Sequence, residues 1–198
     1  NNQPLCLHVL GERGAAKNGR RHEHRDEGNF MLNAGEFPLA IDPGYFGFGT
    51  FTDPRRKKVN KGKHHNLILV AGNGPKRKTE GEIGFGGVDF GQFVSEANVK
   101  TEYRGYKFNR HVIFAHEKYF VLVDCAEKIS GSKNKLTWQL SGNGHKDKND
   151  AFNKPTFSLN KSNKSAKWTV PSGEWHLEAQ VLATQSYTPS ARHDLKHG

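Results

Sequence analysis

From residue 28 onward the chain alternates short apolar runs, rich in Val, Ile, Phe, Tyr and Thr, with clusters of Gly, Asn, Pro and Lys. Runs of this length bounded by turn residues predict β-strands, and almost no stretch carries the 3.6-residue stripe of an amphipathic helix. Strands are expected near 28–34, 37–42, 65–71, 93–103, 106–115, 118–125, 135–141, 155–160, 166–170 and 175–184. Strands at this spacing predict an all-β fold, a two-layer antiparallel β-sandwich. Two long segments read as loops: Gly47–Lys63, cationic through Asp53-Pro54-Arg55-Arg56-Lys57-Lys58, and the glycine-dense Gly72–Gly91. The first is either a substrate-contact loop or a solvated charge run. Within the second, Gly84-Phe85-Gly86-Gly87 lacks the Lys-Ser/Thr of a phosphate loop and reads as flexible connection. Asn143–Asp150 and Asn160–Lys167 read as polar turns.

Composition refines this picture. The 198 residues suit a single domain, 1–198, able to bury a core. Although only 34% of the residues are apolar, 13 Phe, 3 Trp and 5 Tyr supply much hydrophobic area per residue. The formal charge of +10 gives a field that attracts polyanions, whether nucleic acid, anionic lipid or acidic polysaccharide. Cys6 and Cys125 have no C-x-x-C partner, which argues against a zinc ribbon or a dithiol centre, and Cys125 is expected as a small buried hydrophobe. No run of about 18 apolar residues occurs, so no membrane span is expected. The chain opens on Asn1-Asn2-Gln3-Pro4 and reads as a mature product or an excised piece of something longer.

The candidate chemistry lies between His22 and His65. In His22-Glu23-His24-Arg25-Asp26 the potential ligands or proton carriers recur at every second position, so in extended backbone they share one face. The turn Asn33-Ala34-Gly35-Glu36 predicts a hairpin between strands 28–34 and 37–42. Pairing Leu32 with Glu36 sets Phe30 opposite Pro38 and Asp26 near Asp42, with His24 on the diagonal. His24 and Asp42 can then converge, and a third ligand is available from His64-His65-Asn66. Two histidines and a carboxylate with an open position suit zinc or another borderline divalent ion. Taken singly, each piece has a plainer explanation: histidine pairs are common on basic surfaces, and Asp42-Pro43-Gly44 is an ordinary turn.

Together, the spacing H-x-H-x-D-x-G-x-F, then L-A-I-D-P-G-Y (residues 39–45), then H-H-N-L-I-L-V (64–70) resembles the signature of the heparinase II/III-like polysaccharide lyases. The likeness continues through Tyr103-Arg104-Gly105-Tyr106, Arg110-His111-Val112-Ile113-Phe114 and Tyr119-Phe120-Val121-Leu122-Val123-Asp124, and covers most of residues 20–128. Those enzymes join an N-terminal α/α toroid to a C-terminal β-sandwich, and this chain resembles only the sandwich. The resemblance implies β-elimination on uronic-acid-containing glycans, such as heparin, heparan sulfate or alginate, in a secreted or periplasmic enzyme. It implies His22 as the catalytic histidine of the sandwich and His24, Asp42 and His65 as ligands of a structural divalent metal ion, zinc by donor type. Asp26 and His64 are the substitutes if the register differs by one. The family's catalytic tyrosine and carboxylate-neutralising residue lie in the toroid, so this chain alone is expected to be inactive. Arg25 stands where the family has a small residue, and Glu23 and Glu27 add negative charge beside the histidines.

Basicity agrees with an anionic polysaccharide as partner, with Arg21, Arg25, Arg55 and Arg56 as the candidate sulfate or carboxylate contacts. Two rivals are a non-catalytic glycan-binding sandwich and a cupin-like metalloprotein, although Glu27 follows His24 too closely for a cupin motif. No recognition helix or base-stacking motif accompanies the charge, so no nucleic-acid partner is expected. Homodimerisation is left open by the sequence.

Overall fold

A computed structural model of the chain describes residues 4–14, 24–42, 44, 59–85, 94–115, 119–142, 157–169 and 175–191. The described residues include twelve strands: β1 (Leu5–Val9), β2 (Phe30–Ala34), β3 (Phe37–Ala40), β4 (Ile68–Val70), β5 (Gly81–Phe85), β6 (Val94–Tyr103), β7 (Tyr106–Ala115), β8 (Tyr119–Lys128), β9 (Leu136–Trp138), β10 (Phe157–Asn160), β11 (Ser165–Thr169) and β12 (His176–Gln180). A single 3₁₀ turn, Gly62–His64, precedes β4 among the described residues. The all-β expectation is correct, in sheets ordered β1-β2-β3, β5-β6-β7-β8, β4-β9 and β10-β11-β12. No helix among the described residues is long and apolar enough to cross a membrane.

The chain divides into two compact units, Asn1–Cys6 with Leu32–Ile41 and Gly142–Gly198, and Leu7–Met31 with Asp42–Ser141. In the second, β6 and β7 form a ten-residue hairpin closed by Tyr103 opposite Tyr106. The two loop residues, Arg104 and Gly105, both have positive φ, 53° and 78°. Two left-handed residues give the loop a twist that matches the strands. A Cβ on Gly105 would lie 2.5 Å from Ser130 O, so glycine is required by space as well as by φ. Inward residues of this hairpin meet β4: Tyr103, Tyr106 and Phe108 cluster with Val70 and Ile68. The Tyr103 and Phe108 rings stack at 4.3 Å, and the Tyr103 hydroxyl donates to Ile68 O at 2.6 Å. A buried phenol with a carbonyl partner keeps its proton, and burial drives its pKa well above the ordinary 10.0.

In the first unit β10, β11 and β12 form an antiparallel meander, with Phe157 and Trp168 rings 5.3 Å apart. A Cβ on Gly142 would sit 1.8 Å from Trp168 Nε1, so that glycine makes room for the indole.

Several expectations need correction. Strand β1 lies outside the expected strands, and β5 lies inside the segment expected as a glycine-dense loop. The glycines of β5 yield space rather than flexibility: a Cβ at Gly81 would meet Glu27 Oε2 at 2.6 Å, and one at Gly84 would meet Asn98 Oδ1 at 3.0 Å. Residues 160–167 do not form one polar turn, because β11 already begins at Ser165. The β2–β3 register also differs, pairing Ala34 with Phe37, Asn33 with Pro38 and, after a bulge, Leu32 with Ala40. Gly35, at φ 55°, makes the turn tighter than the spacing suggests. Cys125 is exposed rather than buried, because it falls on the outward phase of β8, and neither it nor Cys6 forms a disulfide.

Candidate metal centre

Residues 24–29 lead into β2: His24 and Asp26 are half-buried on either side of the exposed Arg25, and residues 27–29 are buried. Of the three residues expected on one face, the two described ones lie together, with His24 Nδ1 3.9 Å from Asp26 Oδ2. A turn follows, in which Asn29 N–H donates to Asp26 O at 2.8 Å and Gly28 adopts φ 84°. Glu27 is fully buried, its Oε2 accepting the Glu12 N–H at 2.8 Å.

His65 arrives from the 3₁₀ turn and is 0% exposed. One donor atom from each of His24, Asp26 and His65 lies within 4.8 Å of the others, a group that could hold a metal ion. The His24 and His65 rings stand 5.6 Å apart, tilted by 42°. Ligands bound to zinc at ~2.05 Å in a tetrahedron lie about 3.3 Å from one another, so the 3.9 Å between His24 and Asp26 needs little adjustment.

Asp42 stands behind His65 rather than in this group. Its Oδ2 is 2.6 Å from His65 Nδ1 and accepts from Asn29 Nδ2 at 2.6 Å, while Oδ1 accepts the Gly44 N–H at 2.8 Å. Burial opposes its ionisation, but the hydrogen bond and charge of His65, helped by Gly44 and Asn29, prevail and hold its pKa below the ordinary 3.8. An ionised carboxylate only accepts, so His65 Nδ1 carries the proton; in the neutral ring the lone pair is then on Nε2. That Nε2 is buried with no hydrogen-bond partner among the described residues. A buried imidazole nitrogen left open, oriented by a carboxylate on the opposite side of its ring, fits a metal ligand. The donor set of two imidazoles and one carboxylate suits zinc.

The local geometry differs from the expected pairing. Asp42 meets the His65 ring directly and is also held by Asn29, while Asp26 lies beside His24. His64 stays in the 3₁₀ turn, outside the group. His22, Arg21, Arg55 and Arg56 lie outside the described residues.

The residues that hold these segments together carry no assigned role in the sequence, although Asn66, Arg110 and Asp124 belong to its quoted motifs. Asn66 N–H donates to Asn29 Oδ1 at 2.9 Å, Asn66 Nδ2 to Phe30 O at 2.7 Å, and Ser141 N–H to Asn66 Oδ1 at 2.7 Å. Gln139 Nε2 donates to His65 O. Beneath them Arg110 pairs with Asp124 through Nε at 2.7 Å and Nη2 at 2.8 Å. A signal existed: the buried positions of β7 alternate, and Arg110 occupies one of them, directly opposite Asp124 of β8.

The profile of the family described as heparinase II/III-like, C-terminal, matches residues 11–196. Among solved structures, the heparan sulfate lyase HepC from Pedobacter heparinus aligns at a TM-score of 0.65 and 18% identity, over 85% of this chain and 24% of that one. A mutant of the same lyase gives 0.67 and 17%, over 92% and 26%. Heparinase III, the BT4657 gene product, gives 0.58 and 16%, over 81% and 22%. The chain thus spans about a quarter of the length of these structures, and at such identity they show a shared fold. Comparison with curated proteins gives no match.

Proposed function

This chain belongs to the heparinase II/III-like, C-terminal family, and we propose on that basis that it is the β-sandwich part of a polysaccharide lyase acting on a uronic-acid-containing anionic glycan. Heparan sulfate is the first substrate to test, since the aligned HepC is named a heparan sulfate lyase. The observation that carries the reading is the convergence of His24, Asp26 and His65 within 4.8 Å, two residues along the chain from His22. In β-elimination the proton on C5 of the uronate is removed, the C4–O4 bond breaks and O4 leaves with a proton. A histidine is suited to proton transfer near neutral pH. His22 is assigned that role, and Arg21, Arg25, Arg55 and Arg56 are assigned the sulfates and carboxylates of the glycan.

A divalent ion, zinc by donor type, would be held by His24, Asp26 and His65 and would act as a structural anchor. Its ligands fix the segment that leads from His22 into β2, and Asp42 fixes the tautomer of His65. The remaining catalytic groups are assigned to an α/α toroid joined to this chain in a secreted or periplasmic enzyme.

The test follows ultraviolet absorbance of unsaturated uronate released from heparan sulfate by the toroid-containing enzyme, wild type beside His22→Ala. The lyase reading expects product from the wild type and a loss of at least ~100-fold in the variant. Binding of heparan sulfate with no unsaturated product from either protein would instead establish a non-catalytic glycan-binding module.

A further inference from the structure

Arg110 is 5% exposed and lies on the inward phase of β7. Nε and Nη2 of its guanidinium are taken by the two oxygens of Asp124 at 2.7 and 2.8 Å, and Trp138 Nε1 donates to Asp124 Oδ2 at 2.7 Å. The Phe30 ring lies 4.9 Å from the guanidinium carbon. Held in this way, the fork aims Nη1 at two backbone carbonyls, Gly28 O at 2.6 Å and Asn66 O at 2.8 Å.

Those carbonyls belong to the two segments that carry the metal donors. Gly28 is two residues beyond Asp26 in the turn closed by Asn29 N–H, and Asn66 directly follows His65. One nitrogen therefore bridges the His24–Asp26 segment and the His65 segment from beneath. Neutralising Asp124 would require only Nε and Nη2, so the Nη1 contacts are a separate task. A lysine could supply the charge, but it has no planar fork to serve the carboxylate and both carbonyls together. We infer that Arg110, clamped by Asp124, is a positioning residue for the metal site: it sets the separation of the two donor segments and thereby the affinity for the divalent ion. The inference rests on the metal reading above.

The test compares wild type, Arg110→Lys, Asp124→Asn and Val112→Ala. The last is a core truncation on the same inward face of β7 and serves as the stability control. Zinc affinity is measured by competition with a chromophoric chelator, melting is recorded on the ion-free protein, and the ion-free His65 ring is followed by long-range ¹H–¹⁵N NMR. Arg110→Lys and Asp124→Asn are expected to weaken zinc roughly 10–100-fold and to shift the His65 ring resonances. Val112→Ala is expected to lower the melting temperature and leave both unchanged. Zinc affinity in Arg110→Lys no lower than in Val112→Ala overturns the inference, and Asp124→Asn decides alone if Arg110→Lys does not fold. Absence of zinc binding by the wild type defeats the metal reading; the ring resonances then still decide, since unchanged His65 signals in Arg110→Lys and Asp124→Asn reject the positioning role.

Discussion

Asp42→Asn separates a ligand from a residue that orients one. Two donors, His65 Nδ1 and Asn29 Nδ2, converge on Oδ2, each at 2.6 Å, and the Gly44 N–H occupies Oδ1 at 2.8 Å. An asparagine amide placed here must turn its NH₂ toward one of these sides, so a donor faces a donor in either orientation. With the amide oxygen kept on Gly44, His65 relieves the conflict by moving its proton to Nε2 and accepting at Nδ1. That shift removes the lone pair from the nitrogen assigned to the ion. Loss of a charge-assisted bond around a side chain only 10% exposed is expected to cost roughly 1.5–3 kcal/mol. At about 2–4 °C per kcal/mol, the melting temperature of ion-free protein should fall by roughly 3–12 °C. Zinc affinity, read by calorimetric titration, should fall about 10–100-fold with the stoichiometry retained, whereas Asp26→Asn should abolish the site. The pH dependence has a definite sign. The folded pKa of Asp42 lies below the ordinary 3.8, so its stabilisation is complete above that value and is lost as pH falls through the folded pKa. The melting gap between wild type and Asp42→Asn should therefore be full at neutral pH and close in acid. If Asp42→Asn abolishes zinc binding while Asp26→Asn leaves it intact, Asp42 is the ligand and the roles assigned above are reversed.

Three stability predictions probe the scaffold. Gly81→Ala forces a Cβ to 2.6 Å from Glu27 Oε2 and 3.0 Å from Gly11 Cα, and should cost roughly 1–3 kcal/mol in denaturant melts; an unchanged midpoint would show that Glu27 does not require this gap. Gly105→Ala must hold a φ of 78° and should cost at least ~1–2 kcal/mol, with a Cβ only 2.5 Å from Ser130 O adding to it. Tyr103→Phe strands Ile68 O and should cost about 1–3 kcal/mol while leaving zinc affinity alone; a loss of affinity would mean that the core cluster also shapes the site.

How far the fold could be read from sequence depended on what each run buries. Strands β6, β7 and β8 carry long runs with apolar residues facing inward, and their positions were expected within a few residues. Strand β5 was hidden because its glycines look like loop residues to any rule that considers the chain locally. Their cause is distant: Glu27 at Gly81 and Asn98 at Gly84, both occupying the volume where a side chain would otherwise sit. The hairpin register escaped for a related reason. It depends on a bulge between Leu32 and Asn33 that no turn residue announces.

The same distinction governs the site. The H-x-H-x-D spacing predicts His24 and Asp26 together, and their donor atoms lie 3.9 Å apart although the backbone bends at Arg25 and is not regular strand. Which carboxylate joins the imidazoles is not a local property. It depends on Asn29, whose side-chain amide donates to Asp42 and whose side-chain oxygen receives Asn66, so that Asp42 lies against the Nδ1 side of the His65 ring. Arg110 was legible in principle, as a charge on the inward phase of an apolar strand, and the cost of burying it demands a partner. Asp124 on the neighbouring strand satisfies that demand with two bonds. The bonds of Nη1 to Gly28 and Asn66 go beyond it, and this surplus turns a buried ion pair into a support for the two segments above it.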